Sequence, residues 1–197
     1  ASTFKIFNTL IALEEGAVSG LDEVIRWDGR THDLPDWNQD HTLKSAYAAS
    51  CVWCYQELAR RIGADRYRAH LAGASYGQIS EPFAETTFWL DGSLTISARE
   101  QVRFLRQVIL KALPYKASSY AGLREVMLSE QGEDYSLRAK TGWAARSTPQ
   151  IGWYVGYIEK PGVTWIFATN MDMHGKAGLP LRQELTLASL KVKGIIE

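Results

Sequence analysis

Ser2-Thr3-Phe4-Lys5 is the stretch from which the rest of the chain is best interpreted. Its spacing places a hydroxyl and an amine on one face of a helix, one turn apart. The following residues, 6–13, are apolar on nearly every side of that helix, which is typical of a buried helix. Burial lowers the pKa of an amine because the ammonium form loses its hydration. A neutral amine beside a serine is a candidate pair of base and nucleophile.

The alternative for these four residues is purely structural. Ser2 caps the helix, and Lys5 extends its amine to solvent along an apolar stem. The pattern Ser-x-x-Lys is short and common, so taken alone it favours this alternative. The decision depends on motifs elsewhere in the chain.

Length and composition describe an ordinary globular domain. The chain has 197 residues, enough for one sizeable domain or a small two-lobed one. Lys and Arg number 22, as do Asp and Glu, and this balance argues against a general nucleic-acid binder. No run of the sequence approaches the roughly 18 apolar residues of a membrane span.

The two cysteines, Cys51 and Cys54, form a Cys-x-x-Cys pair inside a helical pattern. A thioredoxin-like motif would follow a strand, and two cysteines cannot complete a zinc site alone. The sequence therefore argues against both redox function and metal binding, and it leaves the redox state of the pair open.

Periodicity and turn signals predict an α+β fold. A long surface excursion spans 22–42, an aromatic-rich loop spans 83–96, and Ser97 with Glu100 forms a capping box. Consecutive strands after a block of helices indicate an antiparallel sheet with helices packed on it. The predicted helices cover 2–15, 43–62, 65–71, 97–113, 118–128 and 181–193, and the predicted strands cover 135–141, 151–158 and 163–170.

Three further motifs follow the first one in a meaningful order. Ser50-x-Val52 lies on the second predicted helix, Tyr76-Gly77 lies in a loop, and Lys140-Thr141-Gly142 ends a predicted strand. A Ser-x-x-Lys, then a serine triplet, then Lys-Thr-Gly is the order used by penicillin-recognising serine enzymes. Each motif is weak by itself, whereas the ordered set is specific.

Together these residues closely resemble a class D β-lactamase of the oxacillinase type. The resemblance covers nearly the whole chain, from Ala1 to about Ile196. It implies the penicillin-recognising fold: an antiparallel sheet flanked by helices, with a helical region at about 20–130 set against the sheet region in a single catalytic domain, 1–197. Further stretches that carry it are Phe88-Trp89-Leu90-Asp91-Gly92-Ser93-Leu94, Gly152-Trp153-x-Val155-Gly156 and Asn170-Met171-Asp172.

The resemblance implies hydrolysis of β-lactam antibiotics through an acyl-serine at Ser2. It implies that Lys5 reacts with carbon dioxide to give a carbamate, the general base, which requires a neutral amine. It gives Trp89 the role of an indole donor to the carbamate and Val52 that of a shield from bulk water. Ser50 would relay protons to the lactam nitrogen with support from Lys140.

The resemblance also implies a substrate-binding set. Lys140 and Thr141 engage the substrate carboxylate, and Arg182 matches the family's carboxylate-binding arginine, with an exposed helix-start arginine as the alternative. The backbone N–H groups of Ser2 and Trp143 form the oxyanion hole. The full substrate-binding set is Thr141, Gly142, Trp143, Arg182 and Tyr76.

Two departures from the family pattern stand out. The family's Tyr-Gly-Asn is Tyr76-Gly77-Gln78 here, which puts any role of the asparagine in doubt. The family also has strands before the nucleophile that would precede Ala1, so we expect those N-terminal strands to be missing from this chain. The sequence does not rank penicillins, cephalosporins and carbapenems.

Three rival functions remain open at this stage. A β-lactam-sensing receptor domain acylates without turnover, but we expect a polar residue in place of Val52 there. A penicillin-binding protein lacks the carbamate that Trp89 and Val52 would serve, and the intact Ser2, Lys5, Ser50 and Lys140 argue against a non-catalytic binding protein. The hydrolase implies a periplasmic or secreted location, β-lactams as partners, no metal or organic cofactor, and an oligomeric state compatible with a homodimer.

Overall fold

The structure is a computed structural model, and it describes residues 1–196. A short 3-10 turn, Ser2–Phe4, runs directly into helix α1. Two further 3-10 turns cover Pro35–Trp37 and Lys176–Gly178. The helices are α1 (Lys5–Glu14), α2 (Leu43–Ala48), α3 (Val52–Ile62), α4 (Ala64–Ala74), α5 (Ala98–Ile109), α6 (Ala117–Val126) and α7 (Leu181–Val192), and the strands are β1 (Gln78–Ile79), β2 (Leu94–Thr95), β3 (Leu128–Gln131), β4 (Ser136–Ala144), β5 (Gln150–Lys160) and β6 (Val163–Met173).

The main sheet has four antiparallel strands in the order β3-β4-β5-β6. In its register Lys140 lies opposite Val155, and Gly142 lies opposite Trp153. β1 and β2 form a separate two-stranded antiparallel ribbon. The α+β prediction is therefore confirmed, with helices packed against an antiparallel sheet.

Helix α1 occupies the centre of the main core. Every residue from Lys5 to Ala12 is buried, because the apolar run is packed on all sides as its pattern predicts. Around its N-terminal half, Phe4 and Phe7 pack against aromatic rings from α4, α5 and the loops between them. The surroundings of the Ser-x-x-Lys motif are therefore apolar and dry.

The sheet separates this core from a smaller one beneath α7. On β4, Leu137 and Ala139 belong to the smaller cluster, together with Tyr154 and Ile158 of β5. Side chains alternate between the two faces of a strand, so Lys140 is directed to the side of α1. As a result, Lys140 approaches Lys5, although more than a hundred residues separate the two in the sequence.

The predicted helix over 43–62 is wrong in its continuity. The chain leaves the helical conformation after α2, and Ser50 has a φ of +54°. α3 then begins at Val52, so Cys51 stands at its N-cap instead of inside a helix. Hydrophobic periodicity continues through the break, which is why sequence reasoning did not detect it.

Other boundaries differ by smaller amounts. β3 was not predicted, since its four residues are all exposed and show no alternation. The capping box at the start of α5 is confirmed. Glu100 N–H donates to the Ser97 hydroxyl at 3.3 Å, and the Glu100 carboxylate accepts from Ser97 N–H at 2.8 Å. Within residues 1–196, no helix is both long enough and apolar enough to cross a membrane.

Candidate active site

Ser2 and Lys5 are joined at the start of α1. Lys5 Nζ lies 3.0 Å from Ser2 Oγ, at hydrogen-bond distance. The lysine is fully buried, and no carboxylate within residues 1–196 forms a salt bridge with it. Burial holds its pKa well below the usual range, and the nearby charge of Lys140 lowers it further. The structural alternative therefore fails for both residues: Ser2 makes no capping hydrogen bond to the helix, and Lys5 does not reach solvent.

Lys140 supplies the second amine of the site. It is 5% exposed, and its Nζ donates to the Thr141 hydroxyl at 3.3 Å and to the Thr141 carbonyl at 3.2 Å. Burial lowers its pKa to about 8, and the charge of Arg182 contributes to the shift. Lys140 is thus close to half-protonated at mildly alkaline pH, a suitable state for passing protons.

Gly142 allows β4 to lie against the Ser2–Phe4 turn. A Cβ at this position would meet the Thr3 backbone nitrogen at 3.1 Å and the Thr3 Cγ2 at 3.0 Å. Only a residue without a side chain fits such an approach without displacement. The Lys140-Thr141-Gly142 motif therefore places the strand and the nucleophile turn side by side.

Arg182 reaches the same strand from the first turn of α7. Its Nη1 donates to the Gly142 carbonyl at 2.6 Å, and its Nε is buried without a partner in the described chain. The guanidinium therefore still has an N–H group available to donate a hydrogen bond beside the Lys140-Thr141-Gly142 strand. It is not the freely exposed arginine of the alternative interpretation.

Trp89 is 1% exposed and packs edge-on against Phe88, with ring centroids 5.1 Å apart. Its indole Nε1 is buried and has no acceptor among the described residues. An unpaired buried donor costs about 1–3 kcal/mol, so such a group calls for an acceptor. Trp89 also lines a cavity to which Val52 contributes another part of the wall.

That cavity has a volume of about 480 Å³, within the range of small-molecule sites. Thr3, next to Ser2, forms part of its wall, and Trp143 and Arg146 border it from the end of the sheet and the loop that follows. Its lining is largely apolar and aromatic. A lining of this kind suits a small organic molecule with an apolar side group.

Ser50 lies within the break between α2 and α3, and Val52 directly follows that break. Val52 is the first residue of α3 and lines the cavity. Ser50 is half-buried in the left-handed region that precedes it. The Ser50-x-Val52 motif therefore lies where a turn leads into the start of α3, and not in a helix interior.

Sequence reasoning missed two tyrosines that flank this turn. The Tyr47 ring lies 5.5 Å from Lys140 Nζ, and the Tyr55 ring lies 5.1 Å from Lys5 Nζ. Tyr47 also donates to the Ala139 carbonyl at 3.2 Å, and Tyr55 shares a 2.6 Å hydrogen bond with Thr9. Tyr47 lies three residues before the Ser50-x-Val52 motif, and Tyr55 lies three residues after it. This symmetric spacing was the feature of the sequence that could have indicated them.

Tyr76 lies away from the cavity. It is 2% exposed and packs against Phe4, Phe7 and Phe104, with its hydroxyl directed to Gln101. Its neighbour Gly77 has a φ of +66°, and a Cβ there would meet the Thr95 carbonyl oxygen at 2.2 Å. The geometry gives the Tyr76-Gly77 pair a packing role and does not support substrate contact by Tyr76.

Cys51 and Cys54 form a disulfide across the first turn of α3. His41 approaches it, such that one ligand atom from each of the three residues lies within 4.8 Å of the others. The His41 ring nitrogens, however, are already engaged by the Ser45 hydroxyl and the Asp36 carbonyl. The prediction that the pair lies inside a helix is thus replaced by a disulfide at a helix start.

Comparison with known proteins gives a consistent family. The family model "Penicillin binding protein transpeptidase domain" matches residues 1–191. The chain is 45% identical over 196 residues to β-lactamase OXA-48 of Klebsiella pneumoniae, covering all of this chain and 74% of that protein. It is 41% identical over 172 residues to β-lactamase OXA-2 of Salmonella typhimurium, covering 87% of this chain but only 61% of that protein.

Solved structures agree with these relatives. The class D β-lactamase YbXI from Nostoc superimposes with a TM-score of 0.96 at 42% identity, covering 98% of this chain and 82% of that one. FUS-1 (OXA-85), a class D β-lactamase from Fusobacterium nucleatum subsp. polymorphum, gives a TM-score of 0.96 at 37% identity, covering 100% and 82%. The chain therefore belongs to the class D β-lactamases, a family of serine hydrolases that act on β-lactams and need no metal cofactor.

Proposed function

We propose that this chain hydrolyses β-lactam antibiotics through an acyl-enzyme on Ser2. The observation that carries the proposal is the fully buried Lys5 amine 3.0 Å from the Ser2 hydroxyl. An amine without its proton is able to accept one from a serine as that serine attacks a carbonyl. The lactam C–N bond then breaks, and water later cleaves the Ser2 ester.

Lys5 is also suited to carry a carbamate made from carbon dioxide. Its neutral amine is the form that reacts, the unpaired Trp89 Nε1 offers a donor to the new oxygens, and Val52 lies at the cavity wall where it restricts bulk water. When present, the carbamate supplies the general base of the site. A carbamate on Lys5 would offer an acceptor to this buried indole N–H, which has no partner among the described residues.

The other residues act on the substrate directly. Backbone N–H groups of Ser2 and Trp143 stabilise the carbonyl oxygen as its charge develops. Ser50 and Lys140 return a proton to the lactam nitrogen, for which a Lys140 pKa of about 8 is favourable. Thr141 and Arg182 hold the substrate carboxylate beside Gly142.

The sensor and the penicillin-binding protein remain the alternatives to test. Val52 favours the hydrolase over the sensor, because an apolar side chain protects a carbamate that a polar one would destabilise. Both alternatives would leave a long-lived acyl-serine. Stopped-flow with a chromogenic cephalosporin in bicarbonate buffer separates them: the hydrolase shows sustained turnover, whereas one stoichiometric burst without turnover would contradict hydrolysis.

We propose that residues 1–197 act as a single catalytic domain in the periplasm or outside the cell, where β-lactams are met. A homodimer is the assembly we propose to test, and light scattering of the purified protein decides between it and a monomer.

A further inference from the structure

We propose that the Cys51–Cys54 disulfide is a positioning element of the active site, and that a dithiol reductant converts the protein into a form of low turnover. The inference rests on the proposed β-lactam hydrolysis. The inference goes beyond that function, because it makes the activity depend on the redox state of a cysteine pair that lies outside the catalytic set.

The disulfide lies within the Ser50-x-Val52 motif itself. Cys51 is the residue between the two motif positions, and it is the N-cap of α3. Its sulfur accepts a hydrogen bond from Cys54 N–H at 3.2 Å and is bonded to the Cys54 sulfur. The cross-link therefore closes the first turn of the helix that presents Val52 to the cavity.

The residue that directly precedes the cross-link has an unfavourable backbone conformation, because Ser50 has a φ of +54°. A residue other than glycine meets steric hindrance between its Cβ and the backbone in this left-handed region. Such a conformation persists only where its surroundings hold it. Here Cys51 N–H donates to the Ala46 carbonyl at 2.9 Å, and the disulfide fixes the other side of the same residue.

The two amines of the site depend on the same segment. Tyr47 precedes the turn and covers Lys140, and Tyr55 directly follows Cys54 and covers Lys5. Both cysteines are fully buried, and they lie between these two tyrosines in the sequence. Opening it frees the first turn of α3 and admits water toward Lys5.

The redox step needs only an external dithiol such as dithiothreitol. The S–S bond between Cys51 and Cys54 breaks, each sulfur gains one electron and one proton, and the reductant becomes its own cyclic disulfide. An oxidant such as oxidised glutathione reverses the exchange.

The test compares oxidised and reduced protein in buffer that contains a metal chelator. Alkylation followed by mass measurement counts the free thiols. If the buried disulfide resists the reductant, mild denaturant is added during reduction. For the reduced form we expect kcat to fall by about tenfold to a hundredfold, the size of effect that a displaced active-site group produces. We expect KM to change little and activity to return on reoxidation.

Two further readouts separate positioning from simple stabilisation. With ¹³C-bicarbonate, the reduced protein should show a weaker lysine carbamate NMR signal and need more bicarbonate for half-maximal rate. If the disulfide only stabilises the fold, reduction lowers Tm but leaves the carbamate signal and bicarbonate requirement unchanged below that Tm, and this result would overturn the proposal.

The variant Cys51→Ser/Cys54→Ser provides the matched control. It should resemble the reduced wild type and should not respond to dithiothreitol; a response would place the effect elsewhere and overturn the proposal. If it does not fold, the reduced wild type alone decides. An oxidised protein that turns over no β-lactam would contradict the proposed function, whereas equal turnover in both redox states would contradict only this inference.

Discussion

At the scale of single residues, the site is defined by polar groups placed where water cannot solvate them. Lys5 has lost its hydration without gaining a carboxylate from the described chain, and Trp89 has an indole N–H without an acceptor among the same residues. Each feature reduces stability when taken alone. Both become understandable if the site is built for a reaction that needs a neutral amine and a free donor.

Replacing Lys5 should remove the base and leave the fold intact. We expect Lys5→Ala to lower kcat/KM for a chromogenic cephalosporin by at least about 10³-fold, at the upper part of the range for general-base catalysis. Unfolding should not become easier, because the variant no longer buries an amine. Lys191→Ala, at an exposed position on α7, is the control and should keep full activity. Turnover that survives in Lys5→Ala would refute the assigned role.

Trp89→Phe keeps an aromatic ring but removes the N–H donor. We expect deacylation to slow by about 10- to 100-fold, as when an outer hydrogen-bond partner is lost, with acylation less affected. Pre-steady-state burst amplitude and steady-state rate measure the two steps separately. Trp165→Phe is the matched control, since that ring is 45% exposed on β6. Equal slowing of both steps would remove the role proposed for the indole.

The low pKa of Lys140 makes a prediction about stability against pH. Its folded pKa is about 8 and its unfolded value is near 10.5, so between these values the unfolded chain binds the extra proton. Stability therefore rises with pH in this window, by up to about 1.4 kcal/mol per pH unit for this one group. Lys5 adds a slope of the same sign, because its pKa is also lowered.

Urea unfolding in bicarbonate-free buffer between about pH 8 and 9.5 measures that slope. The upper limit avoids the buried tyrosines, whose raised pKa values make the unfolded state lose protons first near pH 10. Lys140→Met should reduce the slope by about 1 kcal/mol per pH unit. An unchanged slope would mean that Lys140 is solvated and ordinarily basic.

At the scale of elements, the site depends on how closely β4 approaches the Ser2–Phe4 turn. The family resemblance implied that residues 2–5 and 140–142 belong to one site, and the hydrophobic pattern predicted the helix and the strand that carry them. The hydrophobic pattern did not predict the break between α2 and α3, because a left-handed serine and a disulfide leave no trace in periodicity. Short exposed strands such as β3 were missed for a related reason, since nothing in their side chains distinguishes the two faces.

Gly142→Ala tests the contact between the two elements. The added Cβ would lie about 3.0 Å from Thr3. We therefore expect a loss of about 1–3 kcal/mol in unfolding free energy, as for an overpacked core, and a lower kcat. Gly73→Ala is the control, because this residue lies in α4 and an added Cβ there would meet no atom within 4 Å. That change should be neutral or stabilising by up to about 1 kcal/mol. Equal effects of both changes would contradict a specific contact at Gly142.

At the scale of the whole molecule, the proposed site draws on distant parts of the sequence. Ser2, Ser50, Lys140 and Arg182 come from the first turn, the α2–α3 break, β4 and α7. The sequence alone yielded the residue types and their order, and the family resemblance supplied their roles. The burial of the site could be predicted from the sequence only in part. The apolar run predicted a dry Lys5, but the rings of Tyr47 and Tyr55 that cover the two lysines depend on tertiary packing.

The central claim is that Lys5 is a dry, neutral amine, and NMR of protein labelled with ¹³C at lysine Cε tests it directly. In bicarbonate-free buffer at pH 7.5, we predict one lysine resonance with the chemical shift of an unprotonated amine, absent from Lys5→Ala. If instead every lysine in the wild type titrates near its ordinary pKa, Lys5 is a solvated cation and the proposed mechanism is contradicted.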